Sequence, residues 1–223
     1  MLGLLLAALL AAGASAGSVR PITQAEDVLA IYVEDWGLAL PPVPGHPLAS
    51  NRTKLVLAAW GDGYVVWSRS QEQGGPPYLA GAVEPTKLSA VLERAKEDGV
   101  FRDESLGQGR FGPDSKFTAI FLKAGKQQLL MRSWHELYEQ VGKVVAKSAG
   151  LTPLEGRDRL GVLRREPAEY LYYRMVWSEL RSRAFSLLPT ESRPVTGEIS
   201  AVGGIFSWRE GASPEQGRGV AQQ

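Results

Sequence analysis

The residues best equipped for chemistry in this 223-residue chain stand together at Trp134-His135-Glu136-Leu137-Tyr138-Glu139. A helix of the H-E-x-x-H kind holds a metal because two imidazoles four residues apart share one face. Here the fourth position after His135 is Glu139. Zinc accepts mixed nitrogen and oxygen ligands, so His135, Glu139 and a distant carboxylate such as Asp114 form a chemically possible set. A simpler reading accounts for more: Ser133 and Glu136 stand in capping-box spacing, and His135 with Glu139 makes an exposed i, i+4 pair. No metal and no cofactor are expected. Gly107-Gln108-Gly109-Arg110-Phe111-Gly112 fits G-x-G-x-x-G by letter. That pattern cradles a pyrophosphate only between a strand and a helix N-terminus, and here Pro113-Asp114 and a strand follow. No G-x-S-x-G elbow occurs, and the other histidine, His46, lies in a proline-rich stretch. The one catalytic alternative is a hydrolase using His135 with carboxylates of the 102–116 loop, namely Asp103, Glu104 or Asp114.

Aromatic residues offer a different chemistry, that of contact. Of six tryptophans, Trp134 and Trp177 fall on helical stripes and read as core. Trp60 and Trp67 flank a hairpin turn, and strand alternation sends part of that surface outward. With Tyr64 and Tyr78 they form the expected binding surface, since exposed Trp and Tyr are favoured interface anchors.

These residues need elements to position them. Leu55–Trp60 and Tyr64–Trp67 flank Gly61-Asp62-Gly63, a hairpin signal, and Tyr78–Val83 reads as a third strand. Pro85 opens a helix with Leu88, Val91, Leu92 and Ala95 on one face, ended by Gly99 as a left-handed cap. Phe117–Lys123 and Gln127–Met131 form a second hairpin. A helix from Ser133 to Gly150 follows, with Trp134, Leu137, Tyr138, Val141, Val144 and Val145 as its buried stripe. Pro167 opens a last helix to Leu187, with Tyr170, Tyr173, Trp177, Leu180 and Ala184 on one face. In the N-terminal segment Thr23 and Glu26 are spaced as a capping box, and Val28, Leu29, Tyr32, Val33 and Trp36 fall on one helical face; the run Val28–Val33 is also rich in β-formers, and the segment leans to helix. The expected fold is α+β: an antiparallel sheet of four or five strands from two hairpin-helix units, with an additional C-terminal helix.

Composition sets the compartment. Leu2–Ala12 is an uncharged apolar run, and Ala14-Ser15-Ala16 supplies a small-x-small cleavage pattern. The run is shorter than the ~20 residues a spanning helix needs, so residues 1–16 read as a signal peptide. Residues 17–53 are an N-terminal segment and Pro-rich linker, 54–187 the α+β domain, and 188–223 a disordered tail. The absence of cysteine points to the bacterial envelope, periplasmic or extracellular, because exported eukaryotic domains of this size usually carry disulfides. It also excludes thiol catalysis. With 25 basic against 24 acidic residues, no nucleic-acid surface is indicated, and no membrane span is expected after cleavage. Asn51-Arg52-Thr53 matches the glycosylation pattern but reads as a polar loop.

Residues 54–150 carry a strand with a Gly-Asp-Gly turn, a helix reading Leu88-x-x-Val91-Leu92 and ending Asp98-Gly99-Val100-Phe101, then Asp114 and Phe117 leading into a second hairpin. This layout is similar to the emfourin type of small metalloprotease inhibitor. The resemblance implies a secreted or envelope protein, such as a protease, as partner, and it carries over no functional residue. The expectation is an exported, non-catalytic protein-binding module of protease-inhibitor kind.

Overall fold

The computed structural model describes residues 18–35, 53–108, 110–111, 116–140, 142–202 and 205–211. The order of elements is β1 (Val19–Pro21), β2 (Asp27–Asp35), β3 (Lys54–Trp60), β4 (Tyr64–Ser68), β5 (Tyr78–Ala82), α1 (Pro85–Glu97), α2 (Glu104–Gln108), β6 (Arg110–Phe111), β7 (Lys116–Ala124), β8 (Gln127–Ser133), α3 (His135–Glu139), β9 (Val144–Lys147), β10 (Gly150–Pro153), α4 (Arg159–Leu163), α5 (Ala168–Phe185), β11 (Arg193–Val195), β12 (Gly197–Val202) and β13 (Ile205–Glu210). The fold is α+β, as expected, but its sheet is larger than four or five strands. Seven antiparallel strands run in the order β11-β5-β4-β3-β2-β7-β8, and the two-residue β6 joins β8 in parallel at the edge.

The centre of that sheet explains the first correction. Val28 to Val33 leaned towards helix by spacing, yet it forms β2 between β3 and β7. Every residue of the run is buried, because both faces of the sheet are covered. A strand buried on both sides shows a continuous apolar run instead of alternation, so its period carries no signal. On one face α1 and α5 pack over Leu29, Ile31, Val33, Leu57, Ile120 and Leu122. On the other, Val28, Ala30, Tyr32, Ala58, Val66 and Phe121 meet Ile199 and Trp208. These last come from a second, three-stranded sheet in the order β1-β13-β12. The supposed disordered tail therefore supplies β11 to one sheet and β12–β13 to the other.

Elements with strong local signals form where expected. In α1, Leu88, Leu92 and Ala95 are buried. Gly99, at φ +76°, closes the helix as the Gly99 amide donates to the Lys96 carbonyl and the Val100 amide to Ala95, both at 3.0 Å. This is a Schellman arrangement, with Val100 folded into the core. In α5 all five expected face residues are buried.

The helix expected from Ser133 to Gly150 is corrected most. Only His135–Glu139 is helical, and no side chain caps it. The Ser133 hydroxyl is taken by the His135 ring instead of closing a capping box. Gly142, at φ +64°, ends the turn. The β-branched Val144 and Val145 then enter β9, which pairs with β10, so the stretch meant to be one helix and a loop becomes a hairpin followed by α4. Among the described residues no helix is long and apolar enough to cross a membrane.

Candidate functional site

The short helix α3 turns Glu139 inward, against the C-terminal side of β9 and the flank of α5. Its carboxylate receives Arg174 through two parallel contacts, Nη1 to Oε1 and Nη2 to Oε2, both 2.7 Å. The Ala146 amide donates to Oε1 at 3.1 Å, and Arg159 from α4 contacts Oε2. Arg174 also donates to the Ala146 carbonyl at 3.2 Å, which accepts the Tyr170 hydroxyl at 2.8 Å. One buried carboxylate thus ties together α3, β9, α4 and α5. Beside it, Glu136 pairs with Arg181 at 3.0 Å. Burial raises the Glu136 carboxyl above its ordinary range, opposed by Arg181, the Trp177 indole and Arg174. The expected exposed pair of His135 and Glu139 does not form: both are buried, and Glu139 answers arginines 20 and 35 positions away in the chain.

His135 is 7% exposed. Its Nδ1 hydrogen-bonds the fully buried Ser133 hydroxyl, and its ring meets Trp177 edge-on at 5.5 Å between centroids. Burial, then the charges of Arg174, Arg181 and Arg159, push the imidazole down to about 3. It is therefore neutral near pH 7 and has little affinity for a proton. Among the described residues it hydrogen-bonds no carboxylate. The cluster walls a cavity of about 390 Å³, in which Arg159, Arg174 and Arg181 face Glu72, Glu136 and Glu139. Charge is balanced within the walls, and Glu136, its carboxyl raised by burial, is the lining group whose affinity for a proton is increased. Among the described residues no three His, Asp or Glu side chains are placed to hold a metal ion.

The other predicted residues lie apart from this cavity. Asp114, His46 and Asn51 fall outside the described residues, as do residues 1–17 and parts of the glycine-rich 107–112 stretch. Asp103 accepts the Ser105 amide at 3.0 Å at the start of α2, an ordinary turn contact, and Glu104 sits in the first turn of that helix. The expected aromatic surface of Trp60, Tyr64, Trp67 and Tyr78 is corrected. Trp67 is buried under the helices. Trp60 and Tyr78 are buried beneath the second sheet, where the Trp60 indole donates to the Pro21 carbonyl at 2.6 Å and Tyr78 meets Trp208 edge-on. Tyr64 is half-buried, donating to Glu210 at 2.6 Å under the Arg20 guanidinium. Alternation does expose one side of a hairpin to something; here that something is β1 and β13, not a partner.

Sequence reasoning missed the Glu139–Arg174–Arg159 cluster. Its signal was present in part, since Arg174 lies on the flank of α5, but nothing local links it to Glu139. Compared with protein-family models, curated proteins and solved structures, the chain matches none of them.

Proposed function

We propose that this chain is an exported, non-catalytic protein-binding module, with a secreted or envelope protease as the partner class that the emfourin resemblance suggests. The observation that carries the reading is the outer flank of α5. Leu171, Tyr172 and Met175 are 37%, 40% and 61% exposed on a helix whose opposite flank fills the core. They occupy i, i+1 and i+4 and so share one side of the first turns. Tyr and Met are enriched at protein interfaces, and clustered exposed apolar side chains mark contact sites more than chance exposure does. This flank takes the place of the hairpin aromatics as contact surface. The hydrolase alternative lacks support of the same kind, because a histidine held near 3 is a poor base at neutral pH.

The test is inhibition of a secreted bacterial metalloprotease by the purified protein, followed with a casein substrate, alongside the Leu171→Asp/Met175→Asp variant. Losing a single anchor residue costs about 2 kcal/mol or more, so the variant should inhibit at least tenfold more weakly while keeping its thermal midpoint. Equal inhibition by variant and wild type, or none by either across metallo- and serine proteases, overturns the reading.

A further inference from the structure

A second cleft, of about 610 Å³, lies between the β9–β10 hairpin and α4, with Lys147, Thr152, Arg157, Asp158 and Arg165 in its walls. Its charges are not answered from within. Asp158 is spent on the backbone: its carboxylate oxygens accept the Leu160 amide at 3.1 Å and the Gly161 amide at 2.9 Å. Lys147 is shared with the buried Glu166 at 3.2 Å, whose other oxygen accepts both the amide and the hydroxyl of Ser148 at 2.8 Å. The side chains of Arg157 and Arg165 are exposed and have no ion pair or hydrogen bond among the described residues. Arg157 and Arg165, unpaired among the described residues, therefore line one concave space together with Thr152 and the half-committed Lys147.

We propose that this cleft binds a ligand bearing phosphate groups. Guanidinium forks match phosphate oxygens two at a time, and an ammonium serves the same group as a point charge. The volume is that of small-molecule sites, which run from roughly 300 to 1,000 Å³, and suits a diphosphate or a phosphate ester of similar size. A soluble phosphate ester and a lipid headgroup present the same chemistry, and Leu160, 61% exposed on α4, would let a bilayer approach.

Inorganic pyrophosphate is the probe, titrated calorimetrically into the full-length protein at physiological ionic strength. Binding is expected, weakened at least tenfold in Arg157→Gln/Arg165→Gln. Arg164→Gln, an arginine that is also exposed but lies outside the cleft walls, should leave it unchanged. Co-sedimentation with phosphatidylglycerol but not phosphatidylcholine vesicles, competed by pyrophosphate, identifies a headgroup as the source; pyrophosphate binding without sedimentation identifies a soluble ligand. The proposal is overturned by no binding at millimolar pyrophosphate, by an equal loss in Arg164→Gln, or by vesicle binding that pyrophosphate does not compete. None of these readouts touches α5, so failure here leaves the protease test standing.

Discussion

Two groups of charged residues share the 135–175 stretch and behave in opposite ways. Around Glu139 each charge is met inside the fold, by Arg174 in two contacts and by Arg159 in a third. Around Arg157 and Arg165 the cations have no ion pair among the described residues, and the Asp158 carboxylate in the same walls is committed to the amides of α4. The difference follows from depth. A buried ion that goes unanswered costs several kcal/mol, so the fold must supply its partner. An exposed cation costs almost nothing to leave waiting and is available to something else. Residue type is the same in both places; what gathers the first group is the buried Glu139, which draws in even Arg159, 53% exposed.

The largest expected effect breaks the first group. Glu139→Gln leaves the Arg174 guanidinium, 13% exposed, without its counter-charge, and should cost about 3–5 kcal/mol in urea unfolding. Adding Arg174→Met should recover much of that loss. A single-variant cost below about 1 kcal/mol would show that the cluster is not the tie between α3, β9 and α5.

A smaller effect sharpens the same contrast through pH. Below its ordinary value of 6.5 the histidine takes a proton in the unfolded chain, whereas buried His135 refuses one down to about 3. Its contribution to stability is therefore complete above pH 6.5 and is lost as pH falls from 6.5 towards 3. The slope approaches one proton, about 1.4 kcal/mol per pH unit. The difference in stability between wild type and His135→Gln, measured from pH 7.5 to 5 and above the carboxylate range, should show this slope. A flat difference would mean the imidazole is protonated normally in the fold. The smallest effect belongs to the open group: Arg157→Gln and Arg165→Gln should each change stability by less than about 0.5 kcal/mol, as surface substitutions do. A clear destabilisation would give those arginines a structural duty.

What could be read from sequence was what is local. The Leu88–Leu92–Ala95 stripe with its Gly99 cap, the Tyr170–Tyr173–Trp177–Leu180 face and the turn at Gly63 all carry their cause within a few residues. The misread elements have their causes far away. Val28–Val33 is a strand because β3 and β7 flank it and two layers cover it. Val144–Lys147 pairs with the adjacent β10, and its Ala146 is held from other elements by Tyr170, Arg174 and Glu139. The stretch from Pro189 reads as polar and glycine-rich apart from an apolar island ending at Trp208, and it is Trp208 that is completely buried, against Tyr78. At the cluster, the zincin-like spacing singled out His135 and Glu139, but the exposed i, i+4 pair expected of them gives way to burial beside arginines that lie beyond any helical turn.

The pairing of β1 with β13 sets the order in which this molecule can be completed. Val19 lies opposite Arg209, nearly two hundred positions later, so the first described strand has no partner until the last has arrived. A polypeptide delivered from its N-terminus, by a ribosome or through a translocation pore, can assemble the hairpins and α1 early. Closing the second layer must wait until residue 210 is free. During that interval the Trp60 and Tyr78 side of the large sheet stands bare, and whatever holds the chain in transit must cover it.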